Sequence, residues 1–267
     1  MNSIEITSMQ NPMLKEYNKL KKNSNYRQKC CKIALEGPNL LHEAIKTGLV
    51  PEVVFFTREY YNSENGSFLY TLPGSVKQAV LPRELFAKIA DTENPQAVAA
   101  IVHYNPEEKA SKISDISGLI LILNRLQDPG NMGSIIRTAA AAGVDIVYYT
   151  RGCVDPFNPK AIRSTAGSIF HLPVLPIHDS VELIQSLKKN NVKVIAAAVS
   201  GSKSIWDADF GDRTALIIGN EAAGIDENLF EEVDYKVTIP LEPPVESLNA
   251  AAATAVIIFE VIRRRKA

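Results

Sequence analysis

Gly118-Leu119-Ile120-Leu121-Ile122-Leu123-Asn124-Arg125-Leu126-Gln127-Asp128-Pro129-Gly130-Asn131-Met132-Gly133 sets five consecutive apolar residues against a polar, glycine-bearing loop. A strand that is apolar at every position has no solvent face and belongs inside a parallel sheet with helices on both sides. Ala215-Leu216-Ile217-Ile218, running into Gly219-Asn220-Glu221-Ala222-Ala223-Gly224, has the same character. Around these two, strand and helix patterns alternate over residues 118–123, 132–142, 145–149, 158–167, 172–175, 180–190, 192–199 and 214–218. The alternation predicts a doubly wound α/β sheet across the C-terminal half. Open sheets of this kind bind ligands beyond the carboxyl ends of their strands, where both loops lie.

A third loop, Ile239-Pro240-Leu241-Glu242-Pro243-Pro244-Val245-Glu246-Ser247-Leu248-Asn249, enters a helix predicted over 247–263. Glu246 and Ser247 are candidates for a ligand-binding loop, with simple capping of the helix as the alternative. That helix is apolar nearly all round, so it is expected to be buried against a second subunit as well as its own sheet; a central helix of a monomer is the alternative. In the first loop, Gly130 and Gly133 let backbone amides approach a ligand at a helix N-terminus. Neither the P-loop nor the dinucleotide-binding glycine pattern is present, which argues against an NTPase or an oxidoreductase.

Before this half, short alternating elements over 32–103 predict a smaller α/β unit, preceded by an amphipathic basic helix over 11–23 with Leu14, Tyr17 and Leu20 on one face. Residues 105–117 are polar without a core-facing pattern and are predicted to be a linker. The expected division is 1–104, linker 105–117, and 118–267.

The chain has 267 residues, 46% of them hydrophobic, enough for two cored domains. A net charge of −1 excludes coating of nucleic acid by bulk electrostatics. Lysines crowd residues 15–32 and Arg263-Arg264-Arg265-Lys266 closes the chain, so local basic patches are expected; solvated faces are the alternative. Three cysteines, Cys30, Cys31 and Cys153, and four scattered histidines lack metal-ligand spacing and are read as structural, with no metal expected. No apolar run reaches a membrane span, and the first ten residues lack a signal-peptide layout, so a cytoplasmic protein is expected.

Asn131-Met132-Gly133-Ser134-Ile135-Ile136-Arg137-Thr138-Ala139, Ile218 through Gly224, Ile239-Pro240 and Glu246-Ser247-Leu248-Asn249 resemble the three ordered motifs of the SpoU (TrmH-like) RNA 2′-O-ribose methyltransferases. The stretch from Pro159 to Val174 resembles the segment between motifs one and two, and Leu35-Glu36-Gly37 with Glu43-Ala44 resembles the family's substrate-binding domain. The resemblance implies a C-terminal SPOUT α/β domain, mostly parallel and with a deep trefoil knot, beside the smaller N-terminal domain. It also implies a homodimer and S-adenosylmethionine as cofactor.

The implied catalytic residues are Arg137, Asn131, Glu221, Ser247 and Asn249. Ala198, Gly219, Asn220, Gly224, Ile239, Leu241 and Leu248 are implied around the cofactor, and Lys15, Lys19, Lys22, Arg27 and Arg163 at the RNA. Ribosomal RNA is the expected substrate, ahead of transfer RNA. A ribose hydroxyl needs in-line positioning and loss of one proton. A guanidinium stays protonated in proteins, so Arg137 is expected to orient the RNA, with an RNA phosphate or Glu221 taking the proton. The rival reading is an RNA-binding or ribosome-assembly protein that keeps the fold without turnover.

Overall fold

The computed structural model describes residues 3–110 and 118–266. In chain order its elements are β1 (Ile4–Glu5), α1 (Pro12–Lys22), α2 (Ser24–Cys30), β2 (Lys32–Glu36), α3 (Pro38–Lys46), β3 (Pro51–Phe56), α4 (Arg58–Tyr61), β4 (Lys77–Val80), α5 (Arg83–Ile89), β5 (Val98–His103) and α6 (Pro106–Ala110). They continue with β6 (Leu119–Leu123), α7 (Pro129–Ala142), β7 (Ile146–Tyr149), α8 (Pro159–Thr165), β8 (Val174–Pro176), α9 (Ser180–Lys189), β9 (Lys193–Ala197), β10 (Lys203–Ser204), β11 (Thr214–Ile218), α10 (Glu227–Phe230), β12 (Tyr235–Thr238) and α11 (Ala250–Arg265). Two compact units result: Met1–Asn105 with Phe157–Phe170, and Pro106–Pro156 with His171–Ala267.

The first unit carries a mixed sheet in the order β1-β4-β3-β5-β2, with β5 antiparallel to both of its neighbours. Asn11 caps α1 by accepting the N–H of Met13, and the helix buries Leu14, Tyr17 and Leu20 as their spacing requires. The Tyr17 ring meets Phe55 edge-on at 5.5 Å, and its hydroxyl donates to the Leu35 carbonyl at 3.3 Å. Burying each such side chain contributes about 2 kcal/mol.

The segment Phe157–Phe170 clusters with this first unit, although its sequence lies within 118–267. Tyr104 packs against Phe157 and Phe170 at 5.4 and 5.8 Å and donates to the Ile169 carbonyl at 3.1 Å. Gly167, at φ +91°, lies so close to α3 that a Cβ there would stand 2.6 Å from the Glu43 Cβ. Part of the predicted linker is helical: Pro106 opens α6, Glu107 and Glu108 occupy its first turn, and Ala110 packs on the second unit's core. The rest, residues 111–117, lies outside the described residues, as do Met1 and Asn2.

The second unit is a seven-stranded parallel sheet in the order β10-β12-β9-β11-β6-β7-β8. β6, apolar throughout, and β11, apolar after Thr214, pair in its middle and are buried along their full length. Helices α7 and α11 pack together.

Helix α11 begins at Ala250 because Asn249, not Glu246 or Ser247, caps it, its Oδ1 accepting the N–H groups of Ala251 and Ala252 at 2.9 and 3.3 Å. It is not covered all round: Val256 is 36% and Phe259 51% exposed, four and seven residues on from exposed Ala252. Its basic end is held within the chain. Arg263 and Arg264 both clamp Glu260, at 2.8 and 2.7 Å, and Arg265 donates to Thr214 Oγ1 at 2.9 Å and to the Gly118 carbonyl at 3.2 Å.

Hydrogen bonds from the Arg263 and Arg264 guanidinium groups hold the Glu260 carboxyl down from its ordinary 4.5 to about 2. A carboxyl depressed on folding stabilises fully above its unfolded value and loses that contribution as pH falls through the folded one. Glu260→Gln is therefore expected to lower the melting temperature at neutral pH, with the gap from wild type narrowing below pH 4.5 and closing near pH 2 in a calorimetric pH series.

Candidate active site

The carboxyl ends of β9, β11 and β12 open into a cleft of about 360 Å³. Its floor is the turn after β11, where Asn220 and Gly224 exchange backbone hydrogen bonds at 2.8 and 3.0 Å. Asn220 Oδ1 accepts the N–H groups of Ala222 and Ala223, both at 2.9 Å, and Glu221 is exposed on the turn they shape. Gly219 is required by close approach, since a Cβ there would lie 2.4 Å from the Gly224 carbonyl carbon. All seven residues expected around the cofactor, Ala198, Gly219, Asn220, Gly224, Ile239, Leu241 and Leu248, line this cleft, as do Glu221, Glu246 and Ser247.

The three loops are joined by one relay of side chains. Asp128 caps α7 by accepting the N–H of Asn131 at 2.7 Å, which places the Asn131 amide at the start of the helix. Asn131 Nδ2 donates to Glu221 Oε1 at 2.5 Å, and Asn131 Oδ1 accepts from Asn249 Nδ2 at 3.0 Å. Asn249 holds the entry of α11 with its other amide atom. Arg137 stands apart: it is exposed, is not among the cleft residues, and has no hydrogen bond or ion pair among the described residues.

A second set of residues, not singled out in the sequence, lies behind the relay. Asn124, 1% exposed, donates to Asp226 Oδ2 at 3.0 Å and to Thr150 Oγ1 at 3.3 Å, and accepts the N–H of Asp226 at 2.9 Å. Asp226 also accepts from Arg125 at 2.9 Å. Hydrogen bonds from Asn124, then Arg125, hold its carboxyl below the usual aspartate range. The only sequence signal for this set is a polar residue directly after five apolar ones.

Apolar walls from Ile218, Val237, Ile239, Leu241, Leu248 and Ile257 suit an adenosine-like group, and the carboxylates of Glu221 and Glu246 suit a cationic one. That donor set fits S-adenosylmethionine, which combines both.

In the first unit, Lys15, Lys19 and Lys22 are exposed on α1, and the Lys19 ammonium lies 3.9 Å from the centre of the Tyr26 ring. Arg27 is a correction: it is 6% exposed and donates to the carbonyls of Leu20 and, at 3.2 Å, Lys21, so it ends α1 rather than facing a phosphate. Arg163 is half-buried and pairs with Asp91 at 3.4 Å, beside Lys21 on the same carboxylate.

A parallel α/β sheet whose carboxyl edge carries such a cleft defines a cofactor-binding enzyme domain. Residues 118–259 match the SpoU rRNA methylase family, and residues 11–100 match the MRM3-like substrate binding domain. The chain is 34% identical to the 23S rRNA (guanosine(2553)-2′-O)-methyltransferase RlmP of Bacillus subtilis, over 96% of this chain and 98% of that protein. The structure is similar to that of the SpoU methyltransferase AviRb from Streptomyces viridochromogenes in complex with AdoMet, with a TM-score of 0.88, 26% identity, and coverage of 97% of this chain and 99% of that one. It is also similar to an AdoMet-bound rRNA methyltransferase from Sinorhizobium meliloti, with a TM-score of 0.83, 27% identity, and 97% of each chain covered.

The chain belongs to the SpoU rRNA methylase family. With that family it is an S-adenosylmethionine-dependent RNA 2′-O-methyltransferase. Among the described residues no helix is long and apolar enough to cross a membrane.

Because Gly219 has no room for a Cβ, Gly219→Ala must displace the 219–225 turn. It is expected to weaken S-adenosylmethionine binding, measured by calorimetry, on the order of tenfold or more, a loss of about 1.4 kcal/mol. Wild-type affinity in this variant would mean that the turn does not shape the cofactor site.

Proposed function

We propose that this chain methylates a ribose 2′-OH of ribosomal RNA at the cleft edge where Glu221, Ser247 and the Asn249–Asn131 pair meet. The single observation that carries the reading is the Asn249–Asn131–Glu221 relay, in which amides from the first and third loops hold a carboxylate that lines the cleft. S-adenosylmethionine supplies a methyl group already activated on its sulfonium. What remains for the protein is to bind and orient the ribose and to take one proton from its hydroxyl.

Glu221 Oε1 is engaged by Asn131, leaving Oε2 to accept the hydroxyl proton. Fixing the carboxylate in one rotamer removes a reorganisation step during transfer. Ser247 and Leu248 line the same cleft as the 219–225 turn, and Asn249 ties their loop to Asn131. Exposed Lys15, Lys19 and Lys22 present a basic face of α1 for RNA phosphates, in the domain matched to substrate binding.

Among the described residues the exposed Arg137 side chain has no hydrogen bond or ion pair and lies off the cleft of its own chain, and α11 presents Val256 and Phe259 to solvent. Both features are supplied with partners by a homodimer: the apolar face is covered, and Arg137 becomes available to orient RNA at the partner's cleft. A cytoplasmic site of action goes with this reading. The rival, a binding protein without turnover, has no use for a carboxylate held at 2.5 Å by an amide at the mouth of a cofactor cleft.

Transfer of tritium from labelled S-adenosylmethionine to deproteinised ribosomal RNA is expected, with little to transfer RNA, and with Arg137→Lys and Glu221→Gln each lowering turnover roughly 100-fold. Labelling of neither RNA would sink the reading. Phe259→Glu combined with Val256→Glu is expected to convert a dimer to a monomer in light scattering; a wild-type monomer would remove the dimer from the account.

A further inference from the structure

Arg125 has φ +55°, in the left-handed region that residues with a Cβ seldom occupy. It is held there from three sides. Its N–H donates to Thr150 Oγ1 at 3.0 Å, its carbonyl accepts from Asn220 Nδ2 at 3.0 Å, and its guanidinium donates to Asp226 Oδ1 at 2.9 Å. Asn220 is the residue before Glu221, and Asp226 lies five residues after it. Both flanks of the Glu221 turn therefore close on one residue of the first loop. Neither Arg125 nor Asp226 lines the cleft, so neither is placed to touch the cofactor.

Within the turn the N–H groups of Ala222 and Ala223 donate to Asn220 Oδ1, Asn220 bridges to Gly224, and the same Asn220 side chain donates through Nδ2 to the Arg125 carbonyl. Arg125 joins the turn to the first loop at both of its flanks. Asn124 anchors the far side: the same Asp226 carboxylate that holds the guanidinium accepts from the buried Asn124 amide, directly after β6. We propose that Arg125 and Asp226 are positioning residues that set where the Glu221 carboxylate stands relative to Asn131. The inference rests on Glu221 being the proton acceptor of the reading above, and it adds residues that act through the turn.

The test uses the full-length chain carrying Arg125→Ala, Asp226→Ala, both together, or Arg125→Lys. Single-turnover methyl transfer to ribosomal RNA is expected to slow roughly 10- to 100-fold in each alanine variant, the size expected for a misplaced catalytic group. S-adenosylmethionine affinity is expected to fall by less than the rate, because the turn lines the cofactor cleft but keeps its internal hydrogen bonds. The double variant is expected to be no worse than the more severe single one, because both break the same contact, and Arg125→Lys is expected to recover part of the rate by keeping a cation opposite Asp226.

Hydrogen exchange supplies a readout that needs no activity: the amides of Ala222 and Ala223 are expected to exchange faster in both alanine variants, while those of α9 do not change. If wild type transfers no methyl group, the functional reading fails and the exchange result alone decides the positioning role. Unchanged exchange at Ala222 and Ala223 would overturn the proposal. So would cofactor affinity falling in step with the rate, or rate losses that multiply in the double variant.

Discussion

The Asn131 side-chain amide has one donor end and one acceptor end, and each is committed to a different loop: Nδ2 to Glu221 and Oδ1 to Asn249. A planar amide can bridge two partners this way only if both arrive in register. The register comes from the parallel pairing of β6 with β11, which brings Leu123 beside Ile218 and so starts the first two loops side by side. The third loop arrives with α11, whose first turn is fixed by the same Asn249 that reaches Asn131. The amide–amide bond contributes only about 1 kcal/mol to stability, and the bond to the Glu221 carboxylate about 2 kcal/mol. Their value here is geometric, because catalysis by positioning depends on distances that a loose turn cannot hold.

Charge is distributed in keeping with that division of labour. The C-terminal arginines are consumed inside the second unit, by Glu260 and by groups at the amino ends of β6 and β11. Lys15 and Lys22 of α1 stay exposed on the first unit without an ion pair among the described residues, Lys19 lies over the Tyr26 ring, and Lys21 turns inward onto Asp91. A chain with a net charge of −1 thereby keeps a local basic face without carrying a basic surface.

The strands that decide the fold are legible because burial on both faces leaves an uninterrupted apolar run, as in Leu119–Leu123 and the Ala215 to Ile218 part of β11. The two-residue strand β10 and the half-buried β12 left no such trace, since their pairing depends on neighbours far off in sequence. Asn131, Glu221 and Asn249 were legible through the order of their motifs. Arg125 and Asp226 were not: their roles follow from a positive φ and from contacts 101 residues apart, and a solvent-exposed Arg or Asp looks the same in sequence whatever it holds. Arg27 shows the converse. Its place among lysines suggested a phosphate contact, whereas the carbonyls at the end of α1 claim it.

A crystal structure of the full-length protein with S-adenosylmethionine tests the central claim most directly. The account predicts the ligand between the 219–225 turn and the 239–248 loop, with the Asn249–Asn131–Glu221 relay unbroken beside it. A ligand bound elsewhere, or one that enters this cleft only by separating Asn131 from Glu221, would contradict it.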